Sequence, residues 1–394
     1  MALALIDPYW EDWLELGFRW LHVIAGIVWI GTSFYFVALD NHLGRPRVVE
    51  EGIGGESWEI HGGGFYRISK YRVAPAELPE PLHWFKWEAY ATWLSGFGLL
   101  VVLYYLNADT YLIDKSVADI PVAAAVTISL IGLAAAWVVY DLACLAFQSD
   151  VVVGLVLLGM VAASAYGAGE VFSGRAAYLQ VGAMLGTIMA ANVLFNIIPA
   201  HWELVRAKEA GREPDPARGL EAKRRSVHNN YLTLPVVFTM ISNHFSFTYE
   251  HEHAWLVLVA LTVIGAWIRH FFNLRHAGRT VWWIPITAVA ASLVLAVAMR
   301  PDEGGGAPPA RVDAQQAVAI VQRRCVPCHS QAPTQEGFDV APAGVVLDTR
   351  EQIVERADAI EEQAVRTKAM PLGNVTGMTE QERDLLGAWL ESVK

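Results

Sequence analysis

Apolar positions in this chain gather into long unbroken runs. A bilayer crossing takes roughly 17–25 such residues. Eight runs qualify, at 14–39, 89–106, 120–140, 151–168, 176–198, 229–247, 254–272 and 282–299. None alternates apolar and polar residues as a barrel strand does. The pattern therefore predicts helices, which satisfy their own backbone groups in lipid. Trp10, Trp13, Trp84, Trp87, Trp255, Trp282 and Trp283 fall near the run ends, where tryptophan anchors at a membrane interface. The run at 151–168 is the weakest, being short and rich in Gly and Ala.

The pattern stops after residue 299. A Gly/Pro stretch, PDEGGGAPP at 301–309, reads as a linker. Residues 312–394 are polar and acidic, with 8 Lys and Arg against 13 Asp and Glu. Their last helix is announced by a capping box, Thr379 with Glu382 three residues on. Ala388, Trp389 and Leu385 give that helix an apolar face. The expected fold is all-α: an eight-helix polytopic transmembrane bundle over 1–299, a linker over 300–311 and a small α-helical domain over 312–394.

Composition supports this division. The 394 residues are 54% hydrophobic and 18% charged, below the usual quarter for soluble domains. The net charge of -11 excludes the basic footprint of a nucleic-acid binder. Residues 1–13 hold no Lys or Arg, so they do not read as a cleavable leader. Arg and Lys cluster in the stretches 40–88 and 199–228 and at Arg275 and Arg279. Eight crossings put these on one side, which is then cytoplasmic, and send both termini outward.

The three cysteines are too few for a disulfide scaffold. Two of them lie in Cys325-Val326-Pro327-Cys328-His329, the attachment sequence of a covalent haem c. The thiols of Cys325 and Cys328 bond the vinyl groups, and His329 ligates the iron. A zinc site is disfavoured because residues 312–394 hold no further Cys or His. The opposite iron ligand must come from Met370 or Met378. Met370 is expected, because Pro371 after it keeps the backbone extended, and Met378 is expected in the core. The tail thus reads as a class I-like cytochrome c domain. Haem c is attached outside the bacterial cytoplasm, in accord with the loop charges.

Ionisable groups inside a membrane are functional candidates. His22 and His244 fall in the outer half, with Arg19 one turn before His22. That set suits a haem b with a neutralised propionate, or another metal. A plainer alternative pairs Arg19 with Glu15 and hydrogen-bonds His22 to a neighbouring helix. The inner side carries His61-Gly62-Gly63-Gly64-Phe65-Tyr66, the run HWFKWEAY at 83–90, and Arg225-Ser226-Val227-His228-Asn229-Asn230-Tyr231. The glycines permit close approach of backbone to a ligand. Aromatic, Asn and His side chains together suit a flat hydrogen-bonding ring, although interfacial anchoring and helix capping explain them equally well.

The run RWLHVIAGIVWIG at 19–31, the HGGGFY segment, HWFKWEAY, SVHNNYLTLP at 226–235 and KAMPLGN at 368–374 together resemble the membrane-bound urate oxidases with a fused cytochrome c, the urate hydroxylases. The resemblance spans essentially the whole chain. It implies oxidation of urate to 5-hydroxyisourate in the bacterial inner membrane, with N-terminus and haem domain on the periplasmic side. Electrons would leave through haem c to a soluble cytochrome c or a terminal oxidase. The chemistry then makes His61 or His228 the base, and Tyr66, Arg225, Asn229 and Asn230 the substrate contacts. A pure electron relay, a haem or metal carrier, and a dehydrogenase for another small molecule remain as alternatives.

Overall fold

The computed structural model describes residues 7–47, 50–300, 313–335 and 338–393. The linker expected at 300–311 lies outside them, apart from residue 300. Helix takes 70% of the described residues and strand 5%.

α1 (Pro8–His42) is 35 residues long, and the Asp7 carboxylate caps it by accepting the Tyr9 N–H. A hairpin follows, β1 (Ile53–His61) and β2 (Gly64–Tyr71). α2 (Trp87–Leu99) continues into π-helical turns at Leu100–Tyr105 and Ala108–Leu112. α3 (Val122–Ala146) and α4 (Asp150–Gly169) come next. α5 (Gly174–Ala191) runs through a π-helical segment, Asn192–Ile197, into α6 (Ile198–Glu209). Pro199 explains the wide turn: it lacks an N–H, and its ring would clash with a carbonyl four residues back in regular helix. α7 (Pro216–Ile241), the single turn α8 (Ser246–Tyr249), α9 (Ala254–His276) and α10 (Trp283–Ala298) complete this part.

The apolar runs lie on helices, as the pattern predicts, but their extents differ. Among the described residues, five helices are long and apolar enough to cross a membrane: Tyr9–His42, Val122–Ala146, Asp150–Gly169, Gly174–Glu209 and Ala254–His276. Trp283–Ala298 is apolar but shorter. The run at 229–247 covers only the second half of α7, whose first half is polar, and it passes the helix end at Ile241.

The central element is the continuous helix α5–α6, 61% buried over its most apolar stretch. Small residues bring its neighbours close, as helices in lipid require. Gly182 faces Thr239 of α7, and Gly265 of α9 faces Pro235 of α7. Gly96 and Gly98 of α2 receive the His22 and Phe18 rings of α1.

The hairpin was not expected, since 40–88 read as loop. Gly62 and Gly63 both have positive φ, 56° and 83°, the requirement of a two-residue type I′ turn. They serve the turn, and open space surrounds them. One hairpin face is fastened to α1, where Tyr35 donates to Glu59 at 2.8 Å and Asp40 pairs with Lys70.

The tail builds a separate apolar core from α11 (Ala314–Arg324), α12 (Arg350–Glu355), α13 (Ala357–Ile360) and α14 (Glu380–Val393). Ile320, Ile353, Leu386, Trp389 and Leu390 fill it. The expected capping box forms, with Glu382 N–H donating to Thr379 at 3.2 Å and Thr379 N–H to Glu382 at 3.0 Å. This unit meets the membrane part at Gly373, whose added Cβ would lie 2.7 Å from the Thr110 carbonyl.

The α1–α2 contact yields a test. A Cβ on Gly96 would fall 2.7 Å from His22 Cε1, and the His22 ring is pinned by a hydrogen bond. Gly96→Ala should destabilise by about 1–3 kcal/mol through overpacking. Thermal unfolding in detergent should show a midpoint several degrees lower; an unchanged midpoint rejects this packing.

Candidate functional site

α7 carries the densest set of buried polar side chains. Arg225, His228 and Asn229 sit at i, i+3 and i+4 and so share one helix face. That face meets α3, α4 and the π-helical segment after α5. Arg225 is fully buried and donates to Asp141 at 2.8 Å and to Asn192 at 3.3 Å, with Glu221 at 3.4 Å. Its guanidinium lies 5.3 Å from the Tyr140 ring centre. Asn192 donates to the Asn229 side chain at 2.8 Å and to the Tyr140 hydroxyl at 3.1 Å. Asn229 donates in turn to the Met189 carbonyl at 2.9 Å.

His228 joins this network to solvent. Its Nδ1 shares a proton with the Tyr140 hydroxyl at 2.8 Å, and its Nε2 with the Asp150 carboxylate at 3.2 Å. Tyr140 is fully buried, whereas the Asp150 side chain is 61% exposed. Asp150, His228 and Tyr140 therefore form a hydrogen-bonded line from the surface to the buried amides. Arg224, at 2.6 Å from Asp150, keeps that carboxylate ionised and in place.

Asn230, one position on, faces α9. Its amide oxygen accepts from Arg269 Nε at 2.8 Å. Tyr231 pairs with His270 Nδ1 at 2.7 Å. Of the inner residues the sequence singled out, Arg225, His228 and Asn229 thus share one face of α7, while Asn230 turns to α9. His61 and Tyr66 are instead exposed on the hairpin, and no hydrogen bond joins them to α7 among the described residues. Sequence reasoning missed Tyr140, Asp141, Asp150, Asn192 and Arg269. The signal for Arg269 and Asn192 was present: each is a strongly polar residue inside an apolar run.

In the outer half, His22 Nδ1 lies 2.9 Å from the Thr92 carbonyl and 3.3 Å from Ser95 Oγ. Arg19 pairs with Glu15, the plainer of the two expected arrangements. The bond at Nδ1 fixes the ring so that Nε2 is the atom available to a metal. His244 is exposed in the turn Ser242–His244 after α7. Among the described residues no group of three His, Cys, Asp or Glu is placed to hold a metal ion.

The tail residues fit a covalent haem. The thiols of Cys325 and Cys328 are free, and burial pushes the Cys325 thiol up to about 12. His329 Nδ1 lies 3.1 Å from the Val345 carbonyl, which orients Nε2 for iron. Met378 is packed in the core, its N–H bonded to Asn374 at 2.8 Å. Met370 is only partly buried, and its carbonyl accepts from Arg383 at 2.7 Å.

Arg383 also stands against the membrane part, near Glu250 and Asp114. Burial and the Asp114 charge push the Glu250 carboxyl up to about 8, opposed by Arg383. A group whose pKa rises on folding stabilises fully below its ordinary value, and the effect is lost as pH climbs through the folded value. The thermal unfolding midpoint in detergent should therefore fall between pH 5 and pH 9. Glu250→Gln should flatten that dependence; an equal pH response in both proteins excludes Glu250 as its source.

A family model described as urate oxidase N-terminal matches residues 8–300. A search of curated proteins and one of solved structures found no match.

Proposed function

The chain belongs to the urate oxidase N-terminal family, and on that premise we propose that it oxidises urate to 5-hydroxyisourate and delivers the electrons to haem c on its own tail. The observation that carries this reading is one chain joining the family match over 8–300 to the complete attachment sequence at Cys325–His329.

The reaction adds water to urate and releases two electrons and two protons. His228 serves as the base. Asp150 orients it and gives the proton an exit to solvent, while Tyr140 carries the hydrogen bond inward. His61, at the exposed hairpin tip, has no such partners. Arg225, Asn229 and Asn230 supply the polar edge that positions the purine, with Tyr66 a further candidate at the entrance. Cys325, Cys328, His329 and Met370 would hold haem c, which when bound would supply single-electron acceptance. The electrons pass on to a respiratory acceptor such as a soluble cytochrome c or a terminal oxidase.

The charge distribution supports a bacterial inner-membrane protein with N-terminus and haem domain in the periplasm. That places the α7 network and the haem in opposite halves of a membrane whose hydrocarbon core is about 30 Å. A redox group held by His22 and His244, haem b or another metal, would shorten the transfer.

Urate added without oxygen to the oxidised, purified protein should reduce its haem. A haem that stays oxidised overturns the proposal. Cys325→Ala with Cys328→Ala should abolish covalent haem and turnover while the helices still insert. Pyridine haemochrome and metal analysis of that protein then reads whatever His22 and His244 hold. Met370→Ala should leave haem attached and lower its potential; an unchanged potential there, with the change found in Met378→Ala, moves the ligand to Met378.

A further inference from the structure

Two buried arginines in the bundle have opposite environments. Arg225 is neutralised by Asp141 and Glu221. Arg269 of α9 is 3% exposed and forms no ion pair among the described residues. Its Nε is used by Asn230, one guanidinium face lies 3.7 Å from the centre of the Phe34 ring, and Nη2 has no partner. Asn230, fully buried, leaves its own Nδ2 without a partner beside it. Isolated buried charge is costly, and an unmade buried hydrogen bond adds to the cost.

The unmet bonds continue along α9. Asn273 stands four residues after Arg269 and His276 seven after, on the same face. Asn273 Oδ1 and His276 Nδ1 are both without partners, as is Ser33 Oγ of α1. Five polar atoms on three facing helices thus lack partners, and two of them are donors fixed side by side by one hydrogen bond. A cation with free donors and a nearby free acceptor complements a planar anion that alternates carbonyl oxygens and N–H groups.

We infer that Arg269 and Asn230 form the anion subsite for the substrate, donating from Nη2 and Nδ2 to the charged oxygen edge of the purine between α1, α7 and α9, with Asn273 accepting a ring N–H. This rests on the urate reading above and moves the charged contact from Arg225, whose carboxylate partners already satisfy it, to Arg269. Arg269 is then a substrate-binding residue.

The test uses full-length protein with haem c reduced by dithionite, which leaves urate no electron acceptor, so binding is read without turnover by equilibrium dialysis. Arg269→Gln, Arg269→Lys and Asn230→Leu should each bind urate at least tenfold more weakly. KM for urate-dependent haem reduction should rise by the same factor, with kcat within about threefold. If Arg269→Gln fails to fold, Arg269→Lys and Asn230→Leu decide the matter. Unchanged affinity in those two, with a normal haem spectrum, overturns the subsite even though wild-type protein oxidises urate. Loss of kcat without loss of affinity also overturns it, assigning the pair a structural role. A wild-type protein that neither binds nor oxidises urate overturns both readings.

Discussion

Everything about the bundle follows from the cost of placing polar side chains among apolar helices. A buried amide, hydroxyl or charge must find a partner or forfeit several kcal/mol. α7 brings Arg225, His228, Asn229 and Asn230 inside, and its neighbours are arranged to meet them. α3 supplies Tyr140 and Asp141, α4 supplies Asp150, and the segment after α5 supplies Asn192. The polar half of α7 is therefore what orders the surrounding helices. It is also why this helix, packed against α1, α5 and α9, is too polar in its first half to read as a membrane span.

Much of this was legible in the sequence, for definable reasons. Long apolar runs announce helices because, without the alternation of a barrel strand, only a helix satisfies its backbone in lipid. The haem-attachment sequence expected at Cys325–His329 is short, contiguous and chemically demanding, so it can be read without any three-dimensional information. The capping box at Thr379 and Glu382 is likewise local. The hairpin at Ile53–Tyr71 was hidden because its glycines admit two readings, and only the pairing of Ile60 with Phe65 across the turn distinguishes them. Residues such as Tyr140 and Asn192 were hidden because their importance lies in partners tens of positions away.

The same limit explains the candidate site. The stretch 225–231 was recognisable as a polar cluster, but a linear reading cannot say which faces its members occupy. One residue of offset on a helix is about 100° of rotation. Asn229 turns to Asn192 and Met189, while Asn230 turns to Arg269. Neighbours in sequence thus serve two different rooms of the bundle, one closed by carboxylates and one left with free donors. His61 and Tyr66, which looked similar by composition, stand outside both.

The wide turn at Asn192–Ile197 has a consequence for how this chain can vary. It accommodates Pro199 and at the same time sets the direction in which Asn192 points. A wide turn carries one extra residue in about the same rotation as regular helix, so the α5 and α6 halves on either side stay nearly in phase. Removing one residue there would restore regular α geometry with little swing between the halves. What would change is the local direction of Asn192, and with it the bonds to Tyr140 and Asn229.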